Sequence, residues 1–268
     1  MTLLVVGASG YLGGEVCRRA AAGEQVVGTY HRSAPARPGM VPLDVRDRAA
    51  VRALVADVRP WAVLNTASVY GDWAICADGA AHVAAAAAEV GARLVHLSTD
   101  VVHGGRPQPY ADDEPPSPIL PYGAAKAAAE TAVAVLDPTA AIVRTSLIVG
   151  DDRSRHIRLC LDALAGRAAL FSDEVRCPVA VGDLAAAVLE LAATDYAGRL
   201  NIAGPDAVTR VELGRLVARR HGLDPAGLRS MTIAESKSVR PAEIQLDSSR
   251  AAEVLKAPVR GIHELLAA

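Results

Sequence analysis

The stretch Val5-Val6-Gly7-Ala8-Ser9-Gly10-Tyr11-Leu12-Gly13 decides the fold of this chain. It runs from the end of an apolar segment, which predicts a buried strand, into the start of a helical segment. The first glycine allows a tight turn, the second lets the backbone approach a ligand closely, and the third lets helix and strand pack together. Because free N–H groups at a helix N-terminus bind phosphate, the turn predicts a dinucleotide diphosphate site. The residues expected to contact the dinucleotide here are Gly7, Ser9, Gly10, Tyr11, Leu12 and Gly13.

Outward from this turn, short apolar segments alternate with longer helical ones. The predicted strands are Leu3–Val6, Gln25–Thr29, Ala62–Asn65, Arg93–Ser98 and Ala141–Thr145, and the predicted helices are Leu12–Ala22, Arg48–Val58, Ala80–Val90 and Tyr122–Leu136. This alternation predicts an α/β fold with a Rossmann-type, doubly wound parallel sheet. Residues 1–150 are expected to form the dinucleotide-binding domain. Residues 151–268 are expected to form mainly a small C-terminal substrate lobe, interleaved with that domain.

Composition narrows the class of protein. Apolar residues make up 51% of the chain, which favours a folded globular protein over a disordered one. The net charge of −2 comes without a basic stripe, so nucleic-acid binding is disfavoured. No apolar run is long enough to span a membrane, and the four cysteines lack metal-ligand spacing. We therefore expect a cytoplasmic protein with a small-molecule substrate and no metal.

The end of the second predicted strand bears on the choice of cofactor. An NAD site usually has Asp or Glu there for the ribose 2′-hydroxyl, whereas this chain reads Tyr30-His31-Arg32. Arg32 and His31 would suit a 2′-phosphate, so NADP(H) is expected rather than NAD; the alternative is that Arg32 is a solvated loop cation. Asp44 would accept from the adenine amino group with Val45 against the ring, or else Asp44 caps the next helix.

Two further strand ends are expected to meet the cofactor and the substrate. Small residues after the third predicted strand would let the backbone run close to a cofactor ribose; they are Asn65, Thr66, Ala67 and Ser68. Ser98 and Thr99 follow the next strand, where a hydroxyl can hydrogen-bond a substrate oxygen. Since side chains alternate along a strand, only one of the two should face the site, and Thr99 is favoured.

Tyr122 and Lys126 are the candidate catalytic pair. They stand four positions apart at the start of a predicted helix, so they share one helix face. A lysine ammonium near a phenol would lower the phenol pKa toward neutral pH. Such a tyrosine can give its proton to a carbonyl oxygen as hydride reaches the carbon, and the lysine can also hold the nicotinamide ribose.

In this order, the glycine turn, Asn65–Ser68, Ser98–Asp100 and Tyr122–Lys126 resemble the extended short-chain dehydrogenase/reductase superfamily. With Arg144-Thr145-Ser146, they look most like its dTDP-4-dehydrorhamnose reductase family. The resemblance implies an oxidoreductase that reduces a 4-keto nucleotide sugar with NAD(P)H. It implies Thr99 as the substrate-positioning hydroxyl, Tyr122 as the acid and Lys126 as its partner, and it is compatible with a homodimer.

The chain departs from the family pattern beside the expected sugar site. Val101 and Leu147 stand where the family usually has tyrosine and tryptophan, and Cys76 stands where many extended members have asparagine. A related or different biosynthetic ketone is therefore an alternative substrate. Two other functions stay open: a non-catalytic NADP-binding regulatory subunit, and a nucleotide-sugar epimerase. The pair Asp100-Val101 counts against a 4,6-dehydratase, which carries Asp-Glu there.

Several other side chains are candidates for the substrate pocket. Val101 and His103 follow the Ser-Thr-Asp stretch, and Trp73 follows Asn65–Ser68, where it would cover the substrate mouth or pack between lobes. Arg240 would bind a substrate phosphate or carboxylate, or pair with a carboxylate of the protein. His96, on a predicted strand, is interpreted as structural.

Overall fold

The computed structural model describes residues 1–20, 25–32 and 39–267. Its strands are β1 (Thr2–Val6), β2 (Gln25–Tyr30), β3 (Met40–Pro42), β4 (Ala62–Asn65), β5 (Arg93–Leu97), β6 (Ala141–Arg144), β7 (Ile148–Val149), β8 (Leu170–Phe171), β9 (Val175–Arg176), β10 (Val179–Ala180), β11 (Gly198–Asn201), β12 (Val208–Thr209) and β13 (Ser230–Met231). Its α-helices are α1 (Tyr11–Ala20), α2 (Arg48–Val58), α3 (Gly79–Val90), α4 (Pro121–Leu136), α5 (Arg155–Leu164), α6 (Val181–Ala192), α7 (Arg210–Arg220), α8 (Ile233–Ser236), α9 (Ser249–Val254) and α10 (Ile262–Leu265).

A seven-stranded sheet with the order β11-β6-β5-β4-β1-β2-β3 forms the centre of the fold, and all of its strands run parallel. The chain builds outward from β1 in one direction through β2 and β3, and in the other through β4, β5 and β6. The order of the strands therefore reverses between β1 and β4. Doubly wound sheets bind their ligands in the crevice at such a reversal.

Both faces of the sheet are covered, as parallel strands require. Leu3 and Val5 of β1 belong to the core cluster that includes α1 and α6, whereas Leu4 and Val6 belong to the cluster that includes α2 and α3. This alternation along one strand is the period of two that a strand imposes on its side chains. Together with the strand order, it confirms the predicted α/β fold with a doubly wound parallel sheet.

Residues beyond 150 contribute to both parts of the molecule. Strand β11 joins the central sheet beside β6, and α6 packs against α1 on one face. In contrast, α5, α7 and the short strands β8 and β12 surround a separate core that includes Ile157, Leu170 and Leu213. The second half of the chain therefore both extends the central sheet and forms the separate core.

The predicted elements match the structure closely at most ends. Strand β4 and helix α2 have the predicted bounds, while α1 begins one residue before the predicted start. The last predicted residues of that helix, Ala21 and Ala22, lie outside the described residues. Within the described ranges, no helix combines the length and the apolar character that crossing a membrane requires.

Candidate active site

A cleft follows the crevice between β1 and β4. It is lined by the turn after β1, the end of β2, the segment after β3 and the segment after β4; the lining residues are Gly7, Ser9, Gly10, Thr29, Tyr30, His31, Leu43, Asp44, Val45, Thr66, Ala67, Ser68, Val69 and Ile75. Most of the residues predicted to bind the cofactor therefore share one cleft. Its elongated lining, from β2 to the end of β4, suits an extended ligand.

The turn after β1 is held in place by its own backbone and by β2. Gly7 has a φ of +85°, a conformation that L side chains rarely adopt, and its N–H donates to Thr29 Oγ1 at 3.0 Å. The N–H of Gly10 donates to the carbonyl oxygen of Gly7 at 2.9 Å. A Cβ atom on Gly7 would lie 2.7 Å from the backbone nitrogen of Ala67, and one on Gly13 would collide with the carbonyl oxygen of Gly7.

Two residues at the start of α1 have structural roles. The side chain of Leu12 is buried in the core, so any contact it makes with a cofactor must come from its backbone. The Tyr11 hydroxyl accepts from the backbone N–H of Asp151 at 3.1 Å, and burial raises the Tyr11 pKa to about 12. Tyr11 therefore connects the glycine turn to the segment after β7.

At the β2 end of the cleft, the carboxylate of Asp44 lies next to two basic side chains. Arg46 binds the carboxylate through Nε and Nη2, at 2.9 Å and 2.6 Å, and His31 Nε2 lies 3.3 Å from it. The hydrogen bonds from Arg46 hold the pKa of Asp44 well below its usual range. Asp44 still lines the cleft, so its contact with an adenine amino group stays a prediction. Arg32 is exposed.

The segment after β4 differs from the prediction at its first residue. The side chain of Asn65 is buried below the cleft, so the prediction that it contacts the cofactor directly is corrected. Its Oδ1 accepts from the N–H of Ala67 at 3.2 Å, which shapes the loop. Thr66 donates to the carbonyl oxygen of Val6 at 2.9 Å. The loop is therefore anchored to both neighbouring strands, while Ala67 and Ser68 line the cleft.

Tyr122 lies next to Ser68, one of the residues that line this cleft. Pro121 begins α4 at a position where proline is favoured. The Tyr122 hydroxyl is 3.2 Å from Ser68 Oγ, and the ring of Tyr70 packs on it with centroids 4.9 Å apart. Burial raises the Tyr122 pKa to about 12, although the hydrogen bond with Ser68 opposes the rise. The prediction that Lys126 lowers this pKa is wrong for this structure, because desolvation dominates.

Lys126 is fully buried below Tyr122 on the same helix. Its Nζ donates to the carbonyl oxygen of Leu97 at 2.5 Å and lies 3.3 Å from His96 Nε2. Burial lowers the Lys126 pKa to about 8. The ammonium group is therefore less favoured here than at the protein surface.

The neighbouring strand end separates Ser98 from Thr99. Ser98 is buried and donates to Glu130 Oε1 at 2.6 Å, in a network that Glu130 shares with Arg144. Thr99 is half-buried, and its hydroxyl donates to Asp100 Oδ1 at 3.3 Å. Ser98 therefore belongs to the interior, and the prediction that it contacts the substrate is corrected. Thr99 remains the candidate hydroxyl.

Two predicted substrate residues lie elsewhere. His103 is completely buried, stacks on Tyr110 at 4.0 Å and faces Arg144 Nη1 at 3.4 Å, because the turn Asp100–Val102 directs the chain inward. Arg240 donates to Glu174 Oε2 at 2.7 Å, so it pairs with a carboxylate of the protein, as the second interpretation of this residue expected. Both predictions of direct substrate contact are corrected.

The remaining substrate candidates differ in exposure. Val101 is half-buried and packs against the small core that includes Tyr110 and Cys177. Trp73 is 50% exposed, which argues against packing between the lobes.

Sequence reasoning missed several residues that shape the site. Arg46 was not considered, although its position two residues after Asp44 was a usable signal. Tyr70 gave no signal, since its packing on Tyr122 depends on a loop. Cys76, which the sequence singled out as a departure from the family pattern, is buried next to Tyr122 and Lys126: its thiol donates to the carbonyl oxygen of Val69 at 3.3 Å and lies 3.6 Å from Ser68 Oγ.

Comparison with known proteins identifies relatives along the whole chain. Residues 1–268 match the family described as the RmlD substrate binding domain. The dTDP-4-dehydrorhamnose reductase of Mycobacterium tuberculosis (strain ATCC 25618 / H37Rv) is 36% identical over 172 residues, which are 61% of this chain and 57% of that protein. The chain therefore spans a little over half the length of that relative. The dTDP-4-dehydrorhamnose reductase of Streptomyces griseus is 34% identical over 279 residues, covering 92% of this chain and 86% of that protein.

A solved structure has the same fold. The dTDP-4-dehydrorhamnose reductase from Bacillus anthracis, in complex with NADP, superimposes with a TM-score of 0.87. The match covers 99% of this chain and 97% of that chain at 22% sequence identity. At this identity the likeness concerns the fold.

Proposed function

This chain belongs to the RmlD substrate binding domain family, and we propose that it reduces the carbonyl group of a 4-keto nucleotide sugar with NADPH. The names of the relatives from Mycobacterium tuberculosis and Streptomyces griseus support the substrate class, and the NADP complex from Bacillus anthracis supports the cofactor. Val101 and Leu147 replace aromatic residues that the family usually has, so related ketones belong in the substrate panel.

The observation that carries this proposal is the 3.2 Å contact between the Tyr122 hydroxyl and Ser68 Oγ. Ser68 lines the dinucleotide cleft, so the phenol lies at the end of the same cleft whose other end is the glycine turn. A proton donor at this point is what reduction of a carbonyl requires, since the product alcohol needs a proton on oxygen.

The residues of the cleft fit a bound NADPH. The glycine turn has no side chains at Gly7 and Gly10, and the N-terminus of α1 favours phosphate oxygens. The β2 end lacks a free carboxylate for ribose hydroxyls, because Arg46 and His31 already engage Asp44. That arrangement favours a 2′-phosphate over a 2′-hydroxyl. The family resemblance adds that Lys126 holds the ribose of the nicotinamide half.

The mechanism uses a protonated phenol. With a pKa raised to about 12 by burial, Tyr122 is protonated at neutral pH and can give its proton to the carbonyl oxygen. Thr99, half-buried at the next strand end, positions that oxygen through its hydroxyl. Bound NADPH supplies the hydride to the carbonyl carbon. Ser68 then relays a proton to the phenolate: its hydroxyl contacts Tyr122 and lines the open cleft, so it gives its own proton to the phenolate and takes one from water.

The test combines turnover with cofactor binding. Purified protein is assayed for loss of NADPH absorbance against a panel of dTDP-4-keto sugars and simpler ketones, and NADPH binding is followed by fluorescence. We expect Tyr122→Phe to lower kcat by roughly 10²–10⁴-fold while NADPH still binds. Tyr196→Phe is the matched control, because the Tyr196 hydroxyl donates to the carbonyl oxygen of Arg199 and belongs to no part of the cleft lining.

Full activity in Tyr122→Phe would refute the proposed acid. Binding of NADPH by the wild type without turnover on any member of the panel would instead favour the regulatory-subunit alternative. Retention of an oxidised cofactor through purification would favour the epimerase.

A further inference from the structure

The loop after β4 and the start of α5 approach each other beside the candidate acid. Tyr70, in that loop, packs its ring on the Tyr122 ring with centroids 4.9 Å apart and an interplanar angle of 33°. The guanidinium carbon of Arg155, the first residue of α5, lies 5.8 Å from the centre of the Tyr70 ring, which is within the range of a cation–π contact. One aromatic ring therefore contacts both the proton donor on α4 and a cation of the smaller lobe.

Arg155 is exposed, and among the residues that the structure describes no carboxylate pairs with it. Two carboxylates precede it closely in the chain, yet each has another basic neighbour. Asp151 pairs with Arg153 at 2.7 Å, and Asp152 lies 3.5 Å from His221 Nε2. The guanidinium of Arg155 therefore keeps its hydrogen-bond donors available for an anion that the described part of the chain does not supply.

Helix stability does not explain an arginine at this position. The N-terminus of a helix carries partial positive charge, so the helix dipole favours anions there and opposes a cation. The first turn of α5 contains no acidic residue that would offset the charge of Arg155. A bound anion would relieve this unfavourable interaction, which is consistent with a role of Arg155 in ligand binding.

The distance from Tyr122 limits which anion fits. In a 4-keto nucleotide sugar, the carbonyl carbon and the carbon that carries the diphosphate lie at opposite ends of one six-membered ring. When the carbonyl oxygen meets Tyr122, the diphosphate must therefore lie about one sugar ring away. The Tyr70 ring sets a similar separation between Tyr122 and Arg155, because an aromatic ring and a pyranose ring have similar dimensions.

Tyr70 lies on the substrate side of the site. Its side chain is 61% exposed, and it is not among the residues that line the dinucleotide cleft, although its neighbour Val69 is. A ligand that reaches Tyr70 and Arg155 therefore lies beyond the dinucleotide cleft, next to Tyr122.

We propose that Arg155 binds the diphosphate of the nucleotide sugar, and that Tyr70 is a positioning residue that holds the guanidinium one ring away from Tyr122. A planar guanidinium suits this ligand because it presents two parallel N–H donors to phosphate oxygens. The identity of the ligand rests on the proposed function, whereas binding of a nucleoside diphosphate can be measured without turnover.

The test is a calorimetric titration with dTDP, carried out on protein saturated with NADP⁺ so that the dinucleotide cleft is filled. We expect the wild type to bind dTDP and Arg155→Gln to bind it about tenfold more weakly, because the variant loses a charge-assisted pair with phosphate. NADPH binding, followed by fluorescence, should be the same in both proteins. That equality shows that the variant is folded and that Arg155 does not serve the cofactor diphosphate.

Arg167→Gln is the matched control. Arg167 is an exposed arginine just beyond the other end of α5, where its Nε donates to Asp162 Oδ1 at 3.0 Å, so this variant should bind dTDP like the wild type. The role of Tyr70 is tested in the same titration. Tyr70→Phe keeps the ring and should keep the dTDP affinity, whereas Tyr70→Leu removes the ring and should lower that affinity about threefold.

Equal dTDP affinity in the wild type and Arg155→Gln overturns the proposal, as does a wild type that binds no dTDP. A loss of NADPH affinity in Arg155→Gln also overturns it, since the arginine would then belong to the cofactor site. Equal losses in Tyr70→Phe and Tyr70→Leu would contradict the role of the ring. Binding of dTDP that depends on Arg155, in a protein that reduces no ketone, would support this site while refuting the reductase; keto-sugar reduction that Arg155→Gln leaves unchanged would do the reverse.

Discussion

Replacing His103 by phenylalanine should change how the stability of the protein depends on pH. Burial, followed by the nearby Arg144 guanidinium, lowers the His103 pKa from 6.5 to about 4. The unfolded chain therefore binds a proton at this residue between those pH values that the native protein does not bind. Stability from His103 is fully present above pH 6.5 and is lost as the pH falls toward 4.

The size of the effect follows from the shift. Each pH unit below 6.5 costs the wild type about 1.4 kcal/mol at this residue, or about 2 kcal/mol at pH 5. Phenylalanine does not titrate, so the free energy of unfolding of the variant lacks this loss at low pH. At pH 7.5 the variant should be less stable by about 1 kcal/mol, because the ring no longer accepts from Arg144, while its stacking on Tyr110 can persist. At pH 5 the variant should equal or exceed the wild type.

Urea denaturation followed by circular dichroism, at about pH 5, 6 and 7.5, measures these free energies of unfolding. The difference between the two proteins isolates His103, because the carboxylates that titrate in the same range are common to both. A difference that stays constant with pH would refute the buried, neutral state of His103. The variant should also keep the wild-type KM for substrate, since the side chain lies outside the cleft.

Two further predictions concern the cofactor cleft. Gly13→Ala should cost about 1–3 kcal/mol of stability and weaken NADPH binding about tenfold in a fluorescence titration, since its Cβ would collide with Gly7. In Gly14→Ala the corresponding contact is an ordinary 3.4 Å, so equal losses in the two variants would contradict this packing argument. Arg46→Ala should raise the ratio of the NADPH KM to the NADH KM about tenfold, because it frees the carboxylate of Asp44. An unchanged ratio would show that the ion pair between Arg46 and Asp44 does not determine the preference for NADPH over NADH.

The fold and the order of the site elements could be read from the sequence because both depend on local patterns. An apolar strand followed by a glycine turn and a helix has few other structural solutions, and the chain indeed belongs to the resembled family. The helical spacing of Tyr122 and Lys126 also places them on one helix face without further information. In contrast, the partners of Lys126 are His96 and Leu97 of β5, which only the folded sheet brings below α4.

The errors arose where the chain turns inward. His103 follows a strand end that borders the site, yet the turn Asp100–Val102 directs it into the interior. The spacing of Tyr122 and Lys126 predicts a lowered phenol pKa, whereas burial raises that pKa in the folded structure. Asp44 has two basic neighbours that its own position in the sequence does not reveal together: Arg46 and His31 reach it from two segments.

The sequence by itself determined the parallel sheet, the glycine turn and the pairing of a phenol with an amine on one helix face, since periodicity and steric limits act over a few residues. Only the tertiary structure decided which polar groups are buried from solvent and which donors face which acceptors. The physical reason is that burial and hydrogen-bond direction depend on atoms contributed by distant segments, as when Glu130 of α4 accepts from Ser98 after β5 and from Arg144 of β6.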